Sequence, residues 1–490
     1  MLRNLRNSKT YVLHQCGAND VYDDLPADAV GAPVFEVPAA GWSTGGTVPI
    51  AFLGELGVGH KAAVIDHSYV TAACTQKLVA CGGIEAMASS HANWTQDIAA
   101  SASAVHFTDN WNTGATSSAI DVAFDASSDP GPLARAEWVK FVAAFFNLEA
   151  HANRVFAEIQ EHYQATEALA AAAVAAGAAA PKTMWVSFSS GYTWSGTTYP
   201  DSWTISTAAY KTGLVTAAGG ASLDASTDID AGCSASYNGY TCTAAGMKAT
   251  MKNAAVIIDE TYSYNSNYAI GNFQASFNIS DAEIASGEWP ALATLLRNDK
   301  SMVQSGTYTY GSDWYEAAIV KPNIVLDDMV SYMHPTALAS SYSPHFFRNI
   351  GAATPETVVL LDATGATAWS DFGCADPYMV CPTETAPPSP PVDSNYCLFS
   401  LCVIAAPPSP PAPPSPPPSP ISPSPSPPAA PLSSSSSSSD GLTTEGATGI
   451  AVAAVISGVL LVLVCVLIMK EKAGTPVFTS LETTKVTPSS

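Results

Sequence analysis

The sequence predicts an α/β fold with two Rossmann-like lobes joined by a long backbone helix. Short apolar runs bounded by turn residues alternate with amphipathic runs before residue 147, and the same alternation restarts after residue 178. Between them lies a helical run of about 30 residues, which at 1.5 Å per residue spans roughly 45 Å and is long enough to contact two lobes. We therefore expect lobe 1 at residues 9–146, a bridging helix at residues 147–178 and lobe 2 at residues 179–382.

The bridging helix is predicted from one apolar stripe with a spacing of three to four residues. The stripe comprises Ala152, Val155, Phe156, Ile159, Tyr163 and Leu169. Asn147 is the expected N-cap, Glu149 suits the positive end of the helix dipole, and Gly177 and Pro181 supply the stop signal. A shorter helical run over residues 132–146 precedes it.

Each lobe is expected to consist of βαβ units on a parallel sheet. In lobe 1 the predicted strands are residues 10–15, 34–37, 62–65 and 104–107, and the predicted helices are residues 48–56 and 73–79. In lobe 2 the predicted strands are residues 184–188 and 254–259, and the predicted helices are residues 206–218, 290–297 and 323–333.

The last part of the chain has a different composition. Residues 383–446 are rich in proline and serine, which predicts an extended stalk, and residues 447–469 contain no charged residue over a length that would span a bilayer. Lys470 and Lys472 follow that segment, so residues 470–490 are expected to be a cytosolic tail, with both lobes outside the plasma membrane. The basic N-terminus lacks the apolar stretch of a signal peptide, and we expect the natural N-terminus to lie further upstream.

The net charge excludes one class of partner, and the cysteine content indicates the compartment. The net charge of −23 argues against a nucleic-acid partner, which requires clustered Lys and Arg. Local disulfides are predicted between Cys233 and Cys242, between Cys374 and Cys381, and between Cys397 and Cys402. Cys16, Cys74 and Cys81 would then hold one further pair and one free thiol. The sequons at Asn93 and Asn278 predict glycosylation and agree with an extracellular location.

Candidate ligand contacts are aromatic and polar side chains in the loops that follow strands. No nucleotide-binding, phosphate-binding or hydrolase motif occurs, and we expect no enzymatic activity and no resident cofactor. Rings on both walls of a cleft would suit a bulky, partly apolar ligand. The predicted contacts are Trp42, Ser43, Thr44, His67, Tyr69, Trp111, Tyr192, Trp194, Trp203, Tyr262, Tyr264 and Trp314. His67 with His60, His91 and His106 would form a metal site, although scattered surface or capping histidines are the commoner interpretation. His334 is expected to end a helix.

Three stretches resemble a known family. TVPIAFLGELGV at residues 47–58, DPGPLARAEWVKFVAAFF at residues 129–146 and KPNIVLDDMVSYMHP at residues 321–335 resemble the helical-backbone substrate-binding proteins of ABC importers. Those proteins capture cobalamin, siderophores, haem and some metals. The RAEWVKFVAAFFN stretch and the anchor are similar to the membrane-anchored algal cobalamin acquisition proteins, which resemble the bacterial vitamin B12-binding protein.

The resemblance implies a cell-surface protein that captures cobalamin between its lobes and delivers it to a transport or endocytic partner. A receptor for siderophore iron, haem or a transition metal is the alternative. A cell-wall or adhesion protein without a small-molecule ligand is a further alternative, since fold alone does not decide function.

Overall fold

The described part of the chain is a mixed α/β fold. The computed structural model describes residues 1–17, 25–87, 93–109, 118–194, 197–263, 267–305 and 308–362. Lobe 1 contains eight strands within these ranges: β1 (Leu2–Asn4), β2 (Lys9–Gln15), β3 (Val34–Val37), β4 (Trp42–Thr44), β5 (Ala62–Ile65), β6 (Glu85–Ala86), β7 (Val105–Thr108) and β8 (Asp121–Ala123). Its helices are α1 (Val48–Glu55), α2 (Ala73–Ala80), α3 (Trp94–Ala100), α4 (Pro132–Ala136) and α5 (Trp138–Ala143).

The main sheet of lobe 1 is parallel, as the alternation of strands and helices predicts. Its strand order is β6-β5-β4-β7-β8, and every pairing is parallel. A smaller sheet, β1-β2-β3, begins at Leu2, so lobe 1 starts earlier than residue 9. Tyr11, Phe35 and Phe145 pack edge to face in the core beneath these sheets.

Lobe 2 is built on a mixed sheet. The strands are β9 (Lys182–Ser189), β10 (Tyr192–Trp194), β11 (Thr197–Tyr199), β12 (Ser202–Ser206), β13 (Ala221–Ser222), β14 (Cys233–Ser236), β15 (Gly239–Cys242), β16 (Val256–Asp259), β17 (Leu295–Arg297), β18 (Ser301–Ser305), β19 (Tyr308–Ser312), β20 (Arg348–Asn349) and β21 (Val359–Asp362). In the large sheet the order is β14-β15-β12-β9-β16-β17-β20, with β13 also pairing β9. Only the centre, β9-β16-β17, and the short β13 edge are parallel, since β12, β14, β15 and β20 pair antiparallel.

The remaining helices include the bridge between the lobes. They are α6 (Glu149–Ala175), α7 (Ala209–Ala217), α8 (Ala244–Met251), α9 (Ile270–Phe277), α10 (Asp281–Ala285) and α11 (Pro322–Met333). α6 is one continuous helix that contributes to both cores. Its N-terminal half places Phe156 and Ile159 in the lobe-1 core, and its C-terminal half places Tyr163 and Ala170 in the lobe-2 core.

Some local predictions were wrong. Asn147 does not cap α6, because it adopts a left-handed conformation with φ 56° at the end of the preceding turn, and Leu148 is the N-cap residue. Residues 290–297 are not an α-helix: Pro290–Thr294 is a 3-10 turn and Leu295–Arg297 is β17. Leu295 and Leu296 are fully buried in the sheet, so their burial in the core outweighs their helix propensity. His334 ends α11, as predicted.

The predicted disulfide between Cys233 and Cys242 is confirmed. Cys233 and Cys242 lie opposite each other on β14 and β15, with a Cα–Cα distance of 3.9 Å, and are bonded. Cys16, Cys74 and Cys81 are all disulfide-bonded, so the expected free thiol among them is wrong. The sequence could not show this, because spacing alone does not determine how an odd set of cysteines pairs.

Several predictions fall outside the described residues. They concern the stalk at 383–446, the membrane span at 447–469, the tail at 470–490 and Cys374, Cys381, Cys397 and Cys402. Among the residues that are described, none of the helices is both long and apolar enough to cross a membrane. Asn93 and Asn278 are both exposed.

Candidate ligand-binding cleft

A cavity of about 440 Å³ lies between the lobes. Lobe 1 supplies the start of α1, the residue after β7 and the turn before α4, while lobe 2 supplies α7, the residue after β16 and the segment that leads into α11. The lining residues are Thr47, Val48, Asp109, Ser127, Pro132, Arg135, Tyr210, Lys211, Leu214, Glu260, Trp314, Tyr315, Ala318, Ile319, Pro322 and Val325.

The position of the cavity follows from the two sheets. Thr47 comes shortly after β4, Asp109 directly after β7, and Glu260 directly after β16. Loops at the carboxyl ends of parallel strands gather at one edge of a sheet, where open α/β folds bind ligands. The cleft therefore lies where the carboxyl edges of both sheets meet.

Arg135 lines the cavity and is fixed by three contacts. Its guanidinium lies over the ring of Tyr210 at 3.5 Å, Nε donates to the Asp129 carbonyl oxygen at 2.7 Å and one terminal nitrogen donates to the Ser127 carbonyl oxygen at 2.6 Å. Burial lowers the pKa of Arg135, but an arginine side chain remains charged at neutral pH. The cavity thus contains an oriented cation backed by an aromatic ring.

Lys211 and Glu260 form a buried ion pair in the cavity wall. Their side chains are only 10% and 13% exposed, and Nζ of Lys211 is in close contact with a carboxylate oxygen of Glu260. Burial alone would lower the pKa of Lys211, but the attraction of Glu260 and Tyr210 outweighs it, and the net shift is upward. Nζ also lies 5.3 Å from the ring centroid of Trp185. Lys211 is therefore a cation held between a carboxylate and aromatic rings.

The aromatic wall comes from lobe 2. Trp314 is 9% exposed and packs against Trp185 and Phe347, with centroid distances of 5.7 Å and 5.1 Å. Tyr315, 44% exposed, meets Tyr262 edge to face at 6.1 Å. Rings are therefore present both in the wall and at the accessible rim.

Of the twelve predicted ligand contacts, Trp314 lines the cavity. Tyr262 packs against Tyr315, which also lines it. Trp42 is fully buried in the lobe-1 core and donates from Nε1 to the Val58 carbonyl oxygen, so it does not reach the cleft. Tyr192 stacks on Tyr199 in the β10–β11 hairpin.

The other predicted contacts also lie away from the cavity lining. Trp203 packs on Phe188 and donates to the Ser276 carbonyl oxygen. Thr44 bonds with its hydroxyl to the Gly46 backbone, and Tyr69 is 37% exposed. Trp111, Tyr264 and the side chain of Trp194 lie outside the described residues.

The histidines do not converge on a metal site in the described residues. Nδ1 of His106 and Oγ of Ser43 lie 2.8 Å apart, and both side chains are inaccessible to solvent. Burial lowers the pKa of His106 to about 4, so its ring is neutral at physiological pH. Within the described ranges, no group of three or more His, Cys, Asp or Glu side chains is arranged to hold a metal ion. His91 lies outside them.

Four lining residues were not predicted from the sequence: Arg135, Tyr210, Lys211 and Glu260. Glu260 directly follows a predicted strand, a position where ligand-binding groups lie in open α/β sheets. The prediction included only the aromatic Tyr262 and Tyr264 after that strand. Arg135 lies on a short helix before the bridge, and Tyr210 and Lys211 open α7. Nothing in their spacing shows that these elements meet.

Comparisons with known proteins leave the ligand open. No protein-family model matches the chain, and no curated protein shows significant similarity to it. A periplasmic haem-binding protein from Pseudomonas aeruginosa has a similar backbone, with 13% identity, a TM-score of 0.39 and coverage of 63% of this chain and 95% of that chain. The petrobactin-binding protein YclQ from Bacillus subtilis is 9% identical, with a TM-score of 0.39 and coverage of 61% and 93%. CeuE from Helicobacter pylori with Ni(II) bound is 11% identical, with a TM-score of 0.39 and coverage of 62% and 86%. Similarities at this level assign no ligand to this chain.

Proposed function

We propose that this chain is a binding protein that captures a bulky, partly apolar chelate in the cleft between its lobes. The observation that carries the proposal is the combination of Arg135, Lys211, Tyr210 and Trp314 around one cavity of about 440 Å³. Small-molecule sites typically have volumes of roughly 300–1,000 Å³ and combine apolar walls with a few fixed polar groups. The half-exposed Tyr315 at the rim would extend the contact surface for a ligand that protrudes from the cavity.

Cobalamin is the first ligand that we propose. The resemblance of residues 135–147 to the algal cobalamin acquisition proteins supports it, and the rings of Tyr210 and Trp314 suit a large corrin with polar edges. A ferric siderophore or haem is the second candidate, favoured by a different observation. Haem carries carboxylates and catecholate ferric siderophores are anionic, and Arg135 is a cation that backbone carbonyls hold in a fixed orientation in a cavity wall that also contains the paired Lys211 and Glu260.

We also propose that the protein acts at the cell surface, without catalytic activity. The stalk composition of residues 383–446 and the uncharged run at residues 447–469 support an anchor in the plasma membrane, with the lobes outside. Its partner would be a transporter or an endocytic receptor that accepts the captured ligand.

The decisive experiment is a thermal-shift panel on the full chain in detergent with cyanocobalamin, haem, a ferric siderophore and divalent metal ions. A ligand present at 100 times its Kd stabilises the folded state by about 2.7 kcal/mol. We expect one chelate to raise the melting temperature and bare metal ions to leave it unchanged. If no chelate shifts the transition, the binding proposal is wrong and an adhesion role becomes the better account.

A further inference from the structure

Residues 313–321 form a second connection between the lobes in addition to α6. Trp314 and Ala318 belong to the lobe-2 core, whereas Val320 is fully buried in the lobe-1 core. The same short segment contributes Trp314, Tyr315, Ala318 and Ile319 to the cavity lining. Its position therefore sets the shape of one cavity wall.

Glu316 attaches this segment to lobe 1. Its side chain is 2% exposed, and its two carboxylate oxygens accept from the Thr71 amide at 2.6 Å and the Ala72 amide at 3.0 Å. These amides lie just before α2, where backbone N–H groups have no partner within the helix. Glu316 thus caps a lobe-1 helix from the segment that forms the cavity wall.

Further contacts reinforce the same attachment. The Thr71 hydroxyl donates to Asp313 at 2.8 Å, and the Thr47 hydroxyl donates to the Tyr315 carbonyl oxygen at 3.4 Å. At the far end of the segment, Lys321 pairs with Glu55 of α1 at 2.9 Å. Glu316 differs from these partly exposed contacts because it is buried and bridges two adjacent amides.

We propose that Glu316 is the positioning residue that locks the cavity wall formed by residues 314–319 onto lobe 1, and that it thereby controls how fast a ligand leaves the cleft. The effect on ligand release rests on the proposed function, whereas the attachment of residues 314–319 to lobe 1 does not. Glu316 does not line the cavity, so its effect on a ligand would be indirect, through the placement of Trp314 and Tyr315.

The surroundings of Glu316 make the attachment sensitive to pH. Burial, and secondly the nearby Asp313, raise the pKa of Glu316 to about 8, against the opposing effect of the Thr71 and Ala72 contacts. Because this pKa is raised above its ordinary value of 4.5, the folded state takes up a proton at a higher pH than the unfolded chain does. The stability that Glu316 contributes is therefore fully present below pH 4.5 and is lost as the pH rises from there to about 8.

Other titratable groups also lie at this interface. Asp313 also contacts His345 at 2.7 Å, and Lys321 and Glu55 pair with each other. On lobe 1, the loop before α2 carries Asp66, which accepts from Ser68, and His67, while α2 carries Lys77 in its last turn. A pH effect that depends on Glu316 must disappear when Glu316 alone is changed.

Hydrogen exchange of the Thr71 and Ala72 amides tests the attachment directly on the full chain. Glu316→Gln keeps the shape of the side chain, but an NH2 group replaces one carboxylate oxygen. One of the two backbone amides then faces a donor instead of an acceptor. We expect exchange at these two amides to accelerate at least tenfold, with Ser43 and Thr44 in the sheet unchanged. The matched control is Glu288→Gln, which alters an exposed pair with Lys252 elsewhere in lobe 2. Exchange at wild-type rates in Glu316→Gln would overturn the proposal.

Two further arms separate positioning from general support. After correction for intrinsic exchange, the wild type should lose protection at Thr71 and Ala72 between about pH 5 and pH 8, and Glu316→Gln should not respond. For cyanocobalamin or a ferric siderophore, dissociation should be at least fivefold faster from Glu316→Gln.

Faster amide exchange with unchanged dissociation would refute control of release, whereas failure of every probe to bind the wild type would refute the proposed function and leave the exchange result standing. If Glu316→Gln fails to fold, Glu316→Asp shortens the side chain by one methylene, so its carboxylate can no longer reach both amides, and wild-type exchange at Thr71 and Ala72 in that folded variant would also count against the attachment.

Discussion

At the scale of single residues, Lys211 and Glu260 form a buried pair in the wall of the cavity. Removing one partner of a buried pair leaves an uncompensated charge and typically costs about 3–5 kcal/mol, while replacing both can be nearly neutral. We expect Lys211→Met to destabilise lobe 2 by about 3 kcal/mol, and the double variant with Glu260→Gln to recover most of that loss. Urea denaturation of the two variants measures both values. A double variant no more stable than the single one would show that the pair does not act as a unit.

His106 makes lobe 1 sensitive to acid. Its folded pKa of about 4 lies below the unfolded value, so its contribution to stability is fully present above pH 6.5 and is lost as the pH falls toward 4. A pKa lowered from 6.5 to about 4 corresponds to about 3 kcal/mol of unfolding free energy. Urea midpoints at pH 7 and pH 4.5 should therefore differ more for the wild type than for His106→Gln. An equal difference in urea midpoint for the two proteins would rule out His106 as the source of the acid sensitivity.

At the scale of elements, Asp328 fixes the chain behind the aromatic wall. Its carboxylate lies on α11 and accepts from the amides of three successive residues, His345, Phe346 and Phe347, which hold Phe347 against Trp314. Asp328→Asn would turn one acceptor into a donor facing these amides, so we expect a loss of about 2–4 kcal/mol in unfolding free energy. The exposed Asp281→Asn is the control. A loss below about 0.5 kcal/mol, the usual range for surface changes, would contradict this account.

The elements also show how far the sequence alone reaches. Val34–Val37 and Ala62–Ile65 were predicted with their observed bounds, because short apolar runs between turn residues are characteristic of buried parallel strands. β14 and β15 were missed, since CSAS and GYTC carry little apolar signal and are held by a disulfide and by pairing to β12. Lobe 2 was consequently predicted to be more regular than it is.

The candidate site was harder to predict than the fold. Trp42 was chosen because aromatic rings after strands often reach a cleft, but its strand lies in the middle of the sheet and the ring fills the core. Arg135 and Lys211 lie 76 positions apart, on α4 and α7. Only the packing of the two lobes brings them to one cavity, and a single sequence contains no pattern that encodes such a contact.

At the scale of the whole molecule, the proposed topology makes a prediction for intact cells. With the lobes outside and the stalk at residues 383–446 extended, added protease should release a soluble fragment that ends within residues 383–440. Mass spectrometry of the medium identifies its C-terminus. Protection of the chain until the membrane is permeabilised would place the lobes on the other side and exclude capture at the cell surface.

The central claim is that the cleft between the lobes holds the ligand, and blocking it from both walls tests this most directly. Ala318 and Thr47 line the cavity from lobe 2 and lobe 1, respectively. Ala318→Phe and Thr47→Phe would each fill part of the space, whereas Ala171→Phe adds the same ring to an exposed position on α6. We would titrate the chelate that shifts the melting temperature most by isothermal calorimetry. The account predicts at least a tenfold weaker Kd for both cavity variants, equivalent to about 1.4 kcal/mol, and an unchanged Kd for Ala171→Phe. Wild-type affinity in both cavity variants, with melting temperatures that show them to be folded, would contradict it.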